Sequence, residues 1–158
     1  MANVRRMAGG AAGLVLALCG TAACESDRNY YRGMFGGSGW DAQKAAESVP
    51  DALDYLGNVQ CAALALAEGD LGDRYSRETA YQQWGVFQAW AEARAREAGQ
   101  DPKAASGAID AMADDLLAGL RKGGNAQKLE QLRADYAGDV NVCASAISNF
   151  GFRIVIGG

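Results

Sequence analysis

Four cysteines, at positions 19, 24, 61 and 143, are the residues of this chain best equipped for covalent chemistry. A thiol can be acylated, oxidised to a disulfide, used as a nucleophile or bound to a metal, and its surroundings decide among these. No Cys-x-x-Cys pair occurs, which argues against redox catalysis. The 158 residues also include no histidine. That excludes a histidine-containing catalytic triad and any histidine-ligated zinc or haem. Paired acids at Asp114-Asp115, with Asp110 one helical turn earlier, have a spacing that can seat a cation, but a di-metal bundle adds Glu-x-x-His pairs that this chain lacks. These acids read instead as a solvated helix face. Ser76, Ser106 and Ser145 have no identifiable base, and no strand precedes the glycines in the way a phosphate-cradling loop requires.

The first two cysteines sit at a processing junction. Residues 1–23, "MANVRRMAGGAAGLVLALCGTAA", place Arg5 and Arg6 before an apolar run that ends in small residues. That is the layout of an export signal. The apolar stretch, residues 7–19, falls short of the roughly 20 residues that span a bilayer. Gly9, Gly10 and Gly13 make a poor core helix. Thr21-Ala22-Ala23 suits ordinary signal cleavage, and the same residues followed by Cys24 resemble the lipobox of bacterial lipoproteins, whose cysteine is acylated and becomes the first residue. The departure is Thr21, where the lipobox usually has Leu. Glu25, by resemblance to enterobacterial lipoproteins, implies release from the inner membrane and residence on the periplasmic face of the outer membrane. Without acylation of Cys24 the chain would be soluble in the periplasm or secreted. Residues 24–39, polar and Gly-rich, read as a flexible tether. Cys19 then leaves with the leader and Cys24 takes lipid, so Cys61 and Cys143 remain to pair in an oxidising compartment, the alternative being two separate buried thiols.

The elements that position these residues are helices. Apolar residues recur at steps of three and four from Trp40 onward. Residues 42–48 form a short helix ended by Pro50, and Ser48-Val49-Pro50-Asp51 carries a capping-box pattern that starts the next helix, running to about Glu68 with Gly69 as its stop. Its arc includes Leu53, Leu56, Val59, Ala63, Leu64 and Leu66, with Cys61 at the edge. A second long helix runs from about Ser76 to Gly99, lined by Tyr81, Trp84, Phe87 and Ala91, with Trp90 and Val86 off the main arc. Asp101-Pro102 restarts a third, whose stripe is Ile109, Met112, Ala113, Leu116, Leu117 and Leu120, ended by Gly123-Gly124. Asn125 caps a last helix with Leu129, Leu132, Tyr136, Val140, Cys143, Ile147 and Phe150 on one seam. The expected fold is all-α: an up-and-down four-helix bundle over residues 40–151, a short extra N-terminal helix, and one inter-helix disulfide. Residues 152–158, containing "FRIVI", form an extended tail.

At 49% apolar and 22% charged residues the composition is that of a folded domain rather than a disordered chain. Loss of the leader removes two arginines and leaves 13 basic and 19 acidic residues, net −6. Such a chain has no positive stripe for phosphates, so nucleic acid is not an expected partner. Residues 58–147 resemble, in a general way, small exported helical proteins of unknown function from proteobacteria, which implies a fold and a compartment and no activity.

The expected function is therefore a non-catalytic cell-envelope lipoprotein, without cofactor or metal, acting through contacts with an envelope protein. Its membrane attachment is the lipid at Cys24. The alternative is a binding module for a small apolar ligand, with Tyr81, Trp84, Phe87 and Trp90 as candidate ligand or partner contacts. A third class, cell-wall hydrolysis, draws on "Ala46-Glu47-Ser48" and residues 101–112, which resemble pieces of lytic transglycosylases. More than fifty residues separate pieces that in that family lie close together.

Overall fold

The computed structural model describes residues 27–35, 44–47, 49–51 and 53–148. The leader, Cys24, Phe150 and the tail at 152–158 lie outside the described residues. Within them every regular element is a helix, with no strand: α1 (27–35), one turn α2 (44–46), α3 (Tyr55–Leu71), α4 (Arg74–Glu97), α5 (Lys103–Gly119), α6 (Asn125–Asp135) and α7 (Ala137–Ser148).

The centre is α3. Its middle, "CAALALA", is apolar on every side, and a helix of that kind must be covered all round. From Asn58 to Leu71 only Gln60 escapes full burial. The alanines let neighbouring helices approach closely, and α4, α5, α6 and α7 all touch α3. Leu56, placed on the buried arc by its spacing, is instead 67% exposed, because it lies in the first turn beyond the covered stretch. The start of α3 also shifts. Asp54, not Ser48, is its N-cap: the side chain accepts from Gly57 N at 2.7 Å, and Asn58 Nδ2 donates to the carbonyls of Leu53 and Asp54. At the other end Gly69 does not stop the helix. It lies under the Tyr81 ring, where a Cβ would sit 3.1 Å from the ring carbons, and the chain turns at Gly72.

The α3–α4 turn is short. Asp73 Oδ1 accepts from Ser76 N and Ser76 Oγ, both at 2.9 Å, and so starts α4. α4 ends in a Schellman motif: Gln100 N donates to Ala95 O, Gly99 N donates to Arg96 O, and Gly99 takes φ +70°. Asp101 Oδ1 accepts from Lys103 N at the head of α5, close to the start expected from Asp101-Pro102. Of the α5 stripe, Ile109 and Ala113 are buried, and Met112, Leu116, Leu117 and Leu120 pack half-buried against the core.

The expected last helix is two. α6 closes at Tyr136, which leaves helical geometry with φ −116° and ψ 25°, and α7 begins at Ala137-Gly138, where glycine weakens continuity. The seam survives the break: Leu132, Cys143 and Ile147 are buried, and Leu129, Tyr136 and Val140 pack beside them. Cys61 and Cys143 are joined, with Cα atoms 5.5 Å apart, tying α7 to the middle of α3.

The arrangement is thus one central helix with the others laid around it. The largest difference from expectation is at the N-terminal end. Residues 27–35, read as flexible tether, are helical and packed on the domain. The glycines of the neighbouring sequence masked a nine-residue segment, "DRNYYRGMF", whose inward face is charged and aromatic rather than aliphatic.

Candidate functional site

The face that α1 turns inward is made by Asp27, Arg28, Tyr31, Arg32 and Phe35, while Asn29, Tyr30, Gly33 and Met34 are exposed. Its contacts keep a register. Asp27 pairs with Arg77 at 2.7 Å, the Tyr31 ring stacks on Tyr81 with centroids 4.4 Å apart, and Phe35 abuts Gly85. Each partner lies fifty positions on, in the same order, so α1 runs parallel to α4. A Cβ at Gly85 would run into the carbonyl oxygen of Phe35, so glycine is required for this close approach.

Against α5 the order is reversed. Arg28 Nη1 meets Asp114 at 2.8 Å, and Arg32 Nη2 meets Asp110 at 2.7 Å. The Arg32 guanidinium also lies over the Trp84 ring, 5.2 Å from its centroid. Two arginines four residues apart on one helix thus meet two aspartates four residues apart on another. The Asp110/Asp114 spacing seats arginines rather than simply facing solvent as expected. That match of i, i+4 pairs was the available sequence signal.

Asp70, near the end of α3, is the centre of the cluster. Arg28 Nε and Nη2 donate to its Oδ2 at 2.9 and 2.6 Å, and Tyr81 Oη donates to Oδ1 at 2.6 Å. The carboxylate side chain is 2% exposed. Burial pushes its pKa up, against the opposing pull of the Arg28 and Tyr81 hydrogen bonds. Burial and the neighbouring carboxylate raise the Tyr81 pKa as well, so the phenol stays protonated and remains a donor. For Arg28, burial works against the cation, but Asp70 and Asp114 more than offset it, and its pKa is raised. The cluster is an ionic latch that holds α1 on α3, α4 and α5.

A second latch lies across the central helix. Glu68 Oε1 accepts from Arg133 Nε at 2.9 Å, linking α3 to α6 near the disulfide.

The four aromatics singled out by spacing are all core. Tyr81, Trp84 and Trp90 are fully buried and Phe87 nearly so. Val86 and Trp90 lie off the main arc, yet both are buried, because the chain before α3 covers that side of α4. Trp90 Nε1 donates to Ala45 O at 2.8 Å, and Arg94 Nη2 donates to Pro50 O at 3.0 Å. The structure brings Tyr81 and Trp84 together in an edge-to-face pair, and Phe87 and Trp90 in another. Glu47, considered for hydrolysis, lies on an exposed turn.

An open groove of about 430 Å³ lies elsewhere, between α3, α5 and the α6–α7 junction. Leu64, Met112, Leu116 and Tyr136 line it, with Gln60 and Asp115 adding polar groups. None of the four aromatics reaches it. Phe87 instead borders a small void of about 20 Å³ beside the disulfide. The groove was missed because its walls come from three helices whose stripes were each assigned to closed core.

Compared with known proteins, the chain matches no family model, no curated protein and no solved structure.

Proposed function

We propose that this chain is a non-catalytic cell-envelope lipoprotein, exported by residues 1–23, acylated on Cys24 and acting through contacts with an envelope protein. The observation that carries the reading is the partition of the cysteines. Cys61 and Cys143 are bonded to each other, a pairing that suits an oxidising compartment, and the remaining two cysteines both fall at the leader junction. Among the described residues the two most buried carboxylates, Asp70 and Glu68, serve ion pairs that hold helices together, which accords with a scaffold role. The test is intact-mass analysis of the membrane fraction together with a Cys24→Ser variant. Acyl mass on Cys24, and loss of membrane association in the variant, support the reading. An unmodified mature chain beginning elsewhere refutes it.

The groove favours a second reading, a binding module for a small apolar ligand. It is of the size small-molecule sites take and joins apolar walls to a few polar groups. The site would be Leu64, Met112, Leu116 and Tyr136 rather than the aromatics of α4. Titration with a fluorescent apolar probe, repeated with Met112→Lys, tests it: saturable binding lost in the variant supports a ligand site, and unchanged or absent binding removes it.

A further inference from the structure

We propose that acylated Cys24 seats one pole of the domain, formed by the first turn of α1 and the α3–α4 turn, directly on the phospholipid headgroups. The inference rests on the lipoprotein reading and adds an orientation to it. Only Glu25 and Ser26 separate Cys24 from residue 27, a gap that extended chain crosses in about 10 Å. Residue 27 is already part of the domain: Asp27 is paired with Arg77 on the first turn of α4, and Arg28 is fastened to buried Asp70 and to Asp114. A headgroup layer is roughly 6 Å deep on each side of a bilayer, so so short a link leaves this pole at the lipid surface. A fifteen-residue coil would instead give roughly 20 Å of play and free rotation.

The pole is defined by the fold. α3 ends and α4 begins there, and Asp73 in the turn and Arg74 at the head of α4 are exposed. α4 has 24 residues, so the turn around Gln100 lies roughly 36 Å away. The groove walled by Met112 and Tyr136 lies along the side of the domain, between these ends. The partner at the near pole is the phospholipid surface that holds the acyl chain, and the far pole is left for other contacts.

The experiment uses the full, processed and acylated chain in phosphatidylcholine vesicles that carry a headgroup-attached quencher. A fluorophore is placed on Arg74→Cys or on Gln100→Cys. Both positions are exposed, and the native thiols are acylated or bonded. At least fivefold stronger quenching at position 74 than at position 100 is expected. Inserting about fifteen Gly/Ser residues between Ser26 and Asp27 should abolish that difference. Equal quenching in acylated, vesicle-bound protein overturns the orientation and leaves the anchor standing. A difference that survives the insertion overturns the short-link mechanism. Mass analysis without acyl groups overturns the anchor and the orientation with it.

Discussion

In α3, thirteen of seventeen residues are buried; in α6, one of eleven is, Leu132. The contrast extends to their neighbours. The middle of α4 is enclosed on all sides, whereas α5 and α7 each bury three residues and leave most of their surface to solvent. The first region is held by close packing of alanine, leucine and large aromatics. The second has little core of its own and is held by narrow stripes, by Arg133–Glu68 and by a covalent bond to α3. Helix content is therefore a poor guide to where stability resides: two regions equally helical differ in how much apolar surface they hide.

Substitutions can break this contrast, and the largest effect is expected in the first region. Trp90→Ala removes a fully buried side chain that also donates to Ala45 O, and it should destabilise by about 4 kcal/mol. Chemical denaturation measures this, and a loss under 1 kcal/mol would mean that the segment around Ala45 does not cover α4. Reduction of the disulfide comes next. The bonded residues are 82 apart, and the chain-entropy model sets an upper figure of about 4.5 kcal/mol for such a loop, with about 3 kcal/mol expected in practice. Amide exchange should rise far more in α6 and α7 than in α3 and α4. Uniform acceleration would show that the two regions unfold as one.

A smaller effect concerns the latch. Asp70→Asn should cost about 2 kcal/mol, less than a fully severed buried pair, because Arg28 keeps Asp114. Chemical denaturation of wild type and variant measures this, and an unchanged midpoint would mean that Arg28 and Tyr81 gain nothing from the carboxylate. The smallest effects are expected at exposed apolar positions. Leu56→Ala and Val142→Ala should each change stability by under about 0.5 kcal/mol.

These contrasts also explain what could be read from the sequence. The third and last stripes were legible because each has one apolar face, and Cys143 was placed on its seam for that reason. The pairing with Cys61 followed from counting thiols once the leader was set aside. α3 and α4 were legible as helices but not as enclosed ones. A stripe says which side is most apolar, and it cannot say that a second layer covers the other side; hence the burial of Val86 and Trp90, off the main arc, leaves no sign in the spacing. The site was less legible than the fold. α1 has no aliphatic periodicity, and its affinity for the domain comes from arginines whose partners lie 42 and 78 positions away. Charge pairing at such separations leaves no local pattern. The Arg28/Arg32 and Asp110/Asp114 spacings were visible, but only the fold shows that they face each other.

The bond between positions 61 and 143 has one more consequence. The Gly123-Gly124 turn, exposed between α5 and α6, falls inside the covalent ring that this bond closes. A protease that nicks the chain there produces two pieces that cannot part, since the ring opens without releasing either. As long as the sulfurs stay joined, the domain can absorb a cut at this exposed turn and keep α6 and α7 in place.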